Sequence, residues 1–160
     1  ETKFRRWIDH IQTALPDISD ISTVERDEDR HRYLKVRYSN GIEVPSWLVS
    51  DGTLRLLALT VPAYVDSIEG SFLIEEPENG IHPKAIECVY QSLSSVYSAQ
   101  MLLASHSPVI LSMLQPKELL CFGKTEEGVT DIVSGLEHPK LKEWKGNPNL
   151  SLLFASGILS

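Results

Sequence analysis

The sequence predicts an α/β fold in which short parallel strands alternate with helices, preceded by a small antiparallel meander. Three observations predict it. Ser71-Phe72-Leu73-Ile74 and Met101-Leu102-Leu103-Ala104 are short apolar runs without polar alternation, as expected of strands covered on both faces. Between them, from Pro83, residues Ile86, Val89, Tyr90, Leu93, Val96 and Tyr97 recur at helical spacing on one face. Asn40-Gly41, between two strand-like segments, is a strong two-residue hairpin signal.

The elements follow in order. Phe4, Trp7, Ile8, Ile11 and Leu15 form the stripe of an amphipathic helix over 2–15, which Pro16 stops. Strands are expected near 21–26 and 31–38, joined by the charged Arg26-Asp27-Glu28-Asp29-Arg30 segment, and Ile42-Glu43-Val44 follows the hairpin. A helix is expected near 53–67, and another from Pro83, where proline suits the first turn. After Ser105-His106-Ser107-Pro108 comes a helix near 108–114, with Ser107 as N-cap and Pro108 at its first position. Strand-like runs lie at 118–122 and 129–133, separated by Glu127-Gly128. The last 25 residues, with His138-Pro139, Asn147-Pro148 and Leu150 to Phe154, suggest short helices and loops. The chain therefore divides into 1–45 (helix and meander), 46–123 (the core) and 124–160 (a C-terminal strand and helical tail).

Composition bounds the function without naming it. A chain of 160 residues, 42% hydrophobic and 23% charged, is an ordinary globular domain. It has no apolar run of 18 residues, hence no expected membrane span. It opens on Glu1 without a leader, as a processed or truncated chain does, and a cytoplasmic setting is expected. The net charge of −7 argues against a surface basic all over, although it leaves room for a local basic patch. Cys88 and Cys121 stand among apolar residues, as buried free thiols do, and neither has a CxxC partner.

Three short stretches carry chemistry. In "LVSDGTLRLLAL", Ser50-Asp51-Gly52 is a small polar turn heading an apolar helix. Gly52 would let a phosphate approach the backbone, Ser50 offers a hydroxyl, and the helix N-terminus offers amides and partial positive charge. A plain N-cap followed by glycine is the simpler reading of the same residues. In "FLIEEPENGIHP", an apolar strand delivers Glu75 and Glu76 before Pro77 ends it. Carboxylates at a strand's C-terminal end sit where α/β sheets place ligands, and alternation turns the two in different directions. A solvated acidic loop would also account for them. In "ASHSP", His106 follows a second strand, either on the same rim or as a capping-loop histidine. No GxSxG elbow supports a serine hydrolase.

Together, the order and spacing of Ser50-Asp51-Gly52, Glu75-Glu76 and His106 resemble the C-terminal half of an ABC-type ATPase nucleotide-binding domain. More narrowly, they are similar to the soluble branch grouped with AAA ATPases of the OLD, RecF and SMC-like kind. The resemblance runs from about residue 46 to 123. It implies part of a P-loop NTPase fold. Ser50, Asp51 and Gly52 match the ABC signature loop, which closes over ATP held by a partner protomer; Asp51 stands where transporters usually have a second glycine. Phe72 to Glu76 match the Walker B strand. Glu75 takes the place of the usual aspartate that supports Mg²⁺ through water, with an arm one methylene longer. Glu76 matches the catalytic glutamate that polarises the attacking water, and His106 the switch histidine at the γ-phosphate. Glu78-Asn79-Gly80-Ile81-His82-Pro83 match the D-loop, which communicates across the dimer.

The resemblance thus implies an ATP- and Mg²⁺-dependent ATPase acting as a head-to-tail homodimer in DNA repair or phage defence, with DNA or a nuclease effector as further partner. No Gly-x-x-x-x-Gly-Lys-Ser/Thr loop is present: Gly123-Lys124-Thr125 has Glu118 where the first glycine should be, and falls after the histidine. By itself the 160-residue segment is expected to be inactive. The alternatives are a non-catalytic interaction domain of the same fold, a transporter ATPase subunit, or a metal-dependent nuclease using Glu75, Glu76 and His82 or His106. The nuclease lacks ligand-pair spacing.

Overall fold

The computed structural model describes residues 2–143, 149–157 and 159. Two compact units are distinguished, Glu1–Ser105 and His106–Ser160.

In the first unit, α1 (Thr2–Ala14) buries the expected stripe through Trp7, Ile8 and Ile11. The meander is antiparallel, β1 (Ile18–Glu25), β2 (Arg32–Tyr38) and β3 (Glu43–Pro45) in that order. Ile18, Ile21 and Val36 point inward from it. Its outer surface is lined by ion pairs, with Glu43 between Lys35 and Arg37; these cations hold the Glu43 carboxyl below the usual carboxylate range. The connection after β2 has three residues, not the two expected. Tyr38 N–H donates to the Ile42 carbonyl and Gly41 N–H to that of Tyr38, with Gly41 left-handed at φ +84°. This is a turn whose third residue must adopt positive φ, and glycine supplies it without a β-carbon clash.

Helix α2 (Asp51–Thr60) begins earlier and ends sooner than expected, passing into a 3-10 turn over Val61–Tyr64. Pro62 has no N–H to continue the ladder, which accounts for the early end. Helix α3 (Pro83–Ser94) packs Ala85, Ile86, Cys88, Val89 and Leu93 inward. It stops before Val96 and Tyr97, because the Ser95 backbone and hydroxyl both donate to the Ser92 carbonyl. Tyr97, expected on the buried face, is 94% exposed.

Strands β4 (Ser71–Glu75) and β5 (Gln100–Ala104) pair in parallel, as expected, in register from Ser71↔Gln100 to Glu75↔Ala104. The double cover is not found among the described residues: Leu73 is 78% exposed on the open face.

The second unit contains α4 (Pro108–Met113), β6 (Leu120–Lys124), β7 (Thr130–Ser134), α5 (Pro139–Lys142) and α6 (Leu150–Ala155). Leu111, Leu141, Leu150, Leu153 and Leu159 form its core. The two strand-like runs expected on either side of Glu127-Gly128 pair with each other, β6 and β7 forming an antiparallel hairpin. Thr125 pairs with Val129 around a turn closed by left-handed Gly128, and a parallel pair would need a crossover of about ten residues or more. Gly123-Lys124-Thr125 accordingly runs along a strand into a hairpin and heads no helix. Asn147-Pro148 lies outside the described residues.

Candidate functional site: the end of the parallel strand pair

Strand β4 carries Glu75 as its last residue, and the ladder is extended by one bond, from Glu76 N–H to the Ala104 carbonyl at 2.8 Å. Glu76 then turns sharply. Its φ of +45° is unusual for a residue with a β-carbon. Pro77, fully buried, stops the strand and anchors the turn in the interior. Asn79 closes the turn twice, its N–H donating to the Glu76 carbonyl at 2.9 Å and its side-chain amide to Glu76 Oε2 at 3.4 Å. Both glutamates stay exposed, so the two carboxylates reach solvent at a strand end.

The next carboxylate behaves differently. Glu78 Oε1 accepts a 2.7 Å hydrogen bond from the Ser105 hydroxyl, which stands one residue beyond the end of β5. Its other oxygen, Oε2, is buried and finds no hydrogen-bond partner among the described residues. The loop closes into α3 through His82, whose Nδ1 accepts from Lys84 N–H and so caps the helix.

Ser50 is the N-cap of α2. Its Oγ accepts from Thr53 N–H at 3.2 Å and donates to the Thr53 hydroxyl at 2.9 Å. Asp51 occupies the first turn and is exposed. The amides at that turn have no intrahelical acceptor, which suits an anion. Gly52 has a packing reason of its own. A β-carbon there would fall well inside contact of the Gly80 carbonyl oxygen and 3.4 Å from its carbon. The turn at 50–52 and the loop at 76–82 are thus backbone against backbone.

The structure therefore brings together Glu76, Glu78, Asn79 and Ser105, and sets Gly52 against Gly80. His106 is exposed and opens the second unit, directly after Ser105 in the chain. Among the described residues, no three His, Cys, Asp or Glu side chains gather into a metal cage. Sequence reasoning missed the link from Ser105 to Glu78 and the grip of Asn79 on Glu76. No periodicity or motif marks a contact across 27 residues.

A family model described as "AAA domain, putative AbiEii toxin, Type IV TA system" matches residues 4–112 of the 160. The chain belongs to this family. The match spans the meander, the turn at 50–52, both strands of the parallel pair and Ser105-His106-Ser107-Pro108. One solved structure, from work on ATP-driven dimerization and DNA-stimulated activation of SMC ATPases, superposes with a TM-score of 0.62. It is 12% identical, over 90% of this chain and 93% of the other, a likeness of fold. This AAA domain thus shares the P-loop NTPase fold of that SMC ATPase structure. No helix among its described residues is long and apolar enough to cross a membrane.

Proposed function

We propose that this AAA domain supplies one half of a composite ATP site, and that its protein hydrolyses ATP as a head-to-tail dimer. The observation that carries this is the end of β4. Two exposed carboxylates stand there in succession, the second fixed by Asn79 in a left-handed turn beside β5. Phosphoryl transfer asks of a protein mainly a positioned water, a held Mg²⁺ and donors on the γ-phosphate. When bound, Mg²⁺ neutralises charge on the phosphates. Glu75 would hold it through water, Glu76 would orient and polarise the attacking water, and His106 would donate to the γ-phosphate. Ser50, Asp51 and Gly52 would meet the phosphates of ATP carried by the partner, through the hydroxyl and the α2 amides. Glu78, Asn79, Gly80 and His82 form the loop that links this cap to the carboxylates.

The family description names a toxin of a toxin–antitoxin system, which favours a role in defence over DNA repair. The SMC neighbour's stimulation by DNA makes DNA the first activator to try.

The test uses the full-length protein and its Glu76→Gln variant. Turnover is expected to fall at least about 100-fold, while ATP-bound dimers accumulate in light scattering. Turnover and oligomeric state both unchanged by the substitution would overturn the proposal in favour of a non-catalytic domain.

A further inference from the structure

We propose that Glu78 and Ser105 form a latch that holds the turn carrying Glu76, making Glu78 a positioning residue for the hydrolysis proposed above. The inference rests on that reading of Glu76. The turn has a conformational cost to offset, since a side chain at φ +45° is disfavoured by the contact of its β-carbon with the backbone. Two bonds from Asn79 close it locally. The Glu78 side chain ties it to the neighbouring strand end, through a short 2.7 Å bond from the Ser105 hydroxyl.

The cost of this arrangement points to position rather than stability. Glu78 gives up the hydration of Oε2, which is buried without a donor among the described residues, and gains the Ser105 hydrogen bond in return. A carboxylate so placed is a poor stabiliser, because desolvating a charged oxygen costs more than a single hydroxyl returns. What the bond does achieve is geometric. It fixes residue 78 to residue 105, so the segment 76–79 is held at both ends, by the Glu76–Ala104 ladder bond and by the latch.

The experiment compares Glu78→Ala, Ser105→Ala, the double variant and Ser105→Thr in the full-length protein, with Glu76→Gln as control. Steady-state ATP hydrolysis and amide exchange over residues 76–81 are both read. Each alanine variant is expected to lower kcat about tenfold with the KM for ATP within about twofold, the double variant losing no more than either single. Exchange over the turn should quicken in all three, and Ser105→Thr, which keeps the hydroxyl, should behave as the parent. Losses that multiply in the double variant, a KM that rises in step, or exchange left unchanged would each overturn the latch. With a dead Glu76→Gln control, such a failure belongs to the latch alone. If Glu76→Gln still turns over, the hydrolysis reading itself fails, and the catalytic role of the latch with it.

Discussion

The carbonyl of Gly80 occupies the space that a β-carbon on Gly52 would need, so the turn that heads α2 and the loop that follows β4 meet with no side chain between them. Both partners are backbone, which yields less readily than the tip of a flexible side chain. Gly52→Ala is therefore expected to cost about 1–3 kcal/mol of stability, as overpacking does elsewhere. Gly80→Ala, whose own φ is +73° and which has open space around it, should cost about 1 kcal/mol through conformation alone. Urea denaturation of the two variants separates the effects. A Gly52→Ala variant as stable as the parent would mean that the loop after β4 simply moves aside.

Trp7 and Thr60 make a second prediction. The indole N–H of Trp7 donates to the Thr60 hydroxyl at 2.9 Å, and that hydroxyl donates back to the Leu56 carbonyl at 2.8 Å, all in the core. Thr60→Val keeps the shape and leaves the indole N–H buried without an acceptor. A loss of about 1–3 kcal/mol is expected. Thr60→Ser, which retains the oxygen, should recover most of it, and in a Trp7→Phe background Thr60→Val should cost far less. Equal costs in both backgrounds would show that the bond contributes nothing.

The third concerns alkaline pH. Burial pushes the Cys88 thiol from 9.0 up to about 11, with a hydrogen bond involving Thr13 acting in the opposite direction. The folded chain thus keeps a proton that the unfolded chain releases. Stability from this group is complete below pH 9 and is lost progressively as the pH rises towards 11. Denaturant midpoints measured across that window should fall more steeply for the parent than for Cys88→Ala. Burial also raises the Cys121 thiol, and its contribution cancels in the comparison. Parallel slopes would count against the assignment.

How much of this could be read from the sequence depends on the range of the forces involved. Helix α1 was legible because Trp7, Ile8 and Ile11 repeat at the helical period and proline ends the run. Strand β4 was legible because three apolar residues, two acids and Pro77 leave few other conformations. The N-cap at Ser50 follows from local hydrogen bonding, and the proline starts of α3 and α4 from the fixed φ and missing N–H of proline. The direction of β7 follows from the short connection through Gly128, since apolar composition shows only that a strand is present and the length of the connection decides how it pairs. Tyr97 falls outside the buried face because the Ser95 backbone and hydroxyl end α3 before the stripe does. At the candidate site, the residue types were visible but their mutual support was not. Nothing in the spacing of Glu78 and Ser105, or of Gly52 and Gly80, announces that the chain brings them together.

The open side of the β4–β5 pair has a practical consequence. Parallel strands are ordinarily covered on both faces, yet Leu73 lies in water and, among the described residues, each strand pairs only with the other. Such an edge is a template for a neighbouring chain. In concentrated solution these ten residues are where copies of the chain would first pair. A single charge introduced at Leu73 would be the gatekeeper against such pairing.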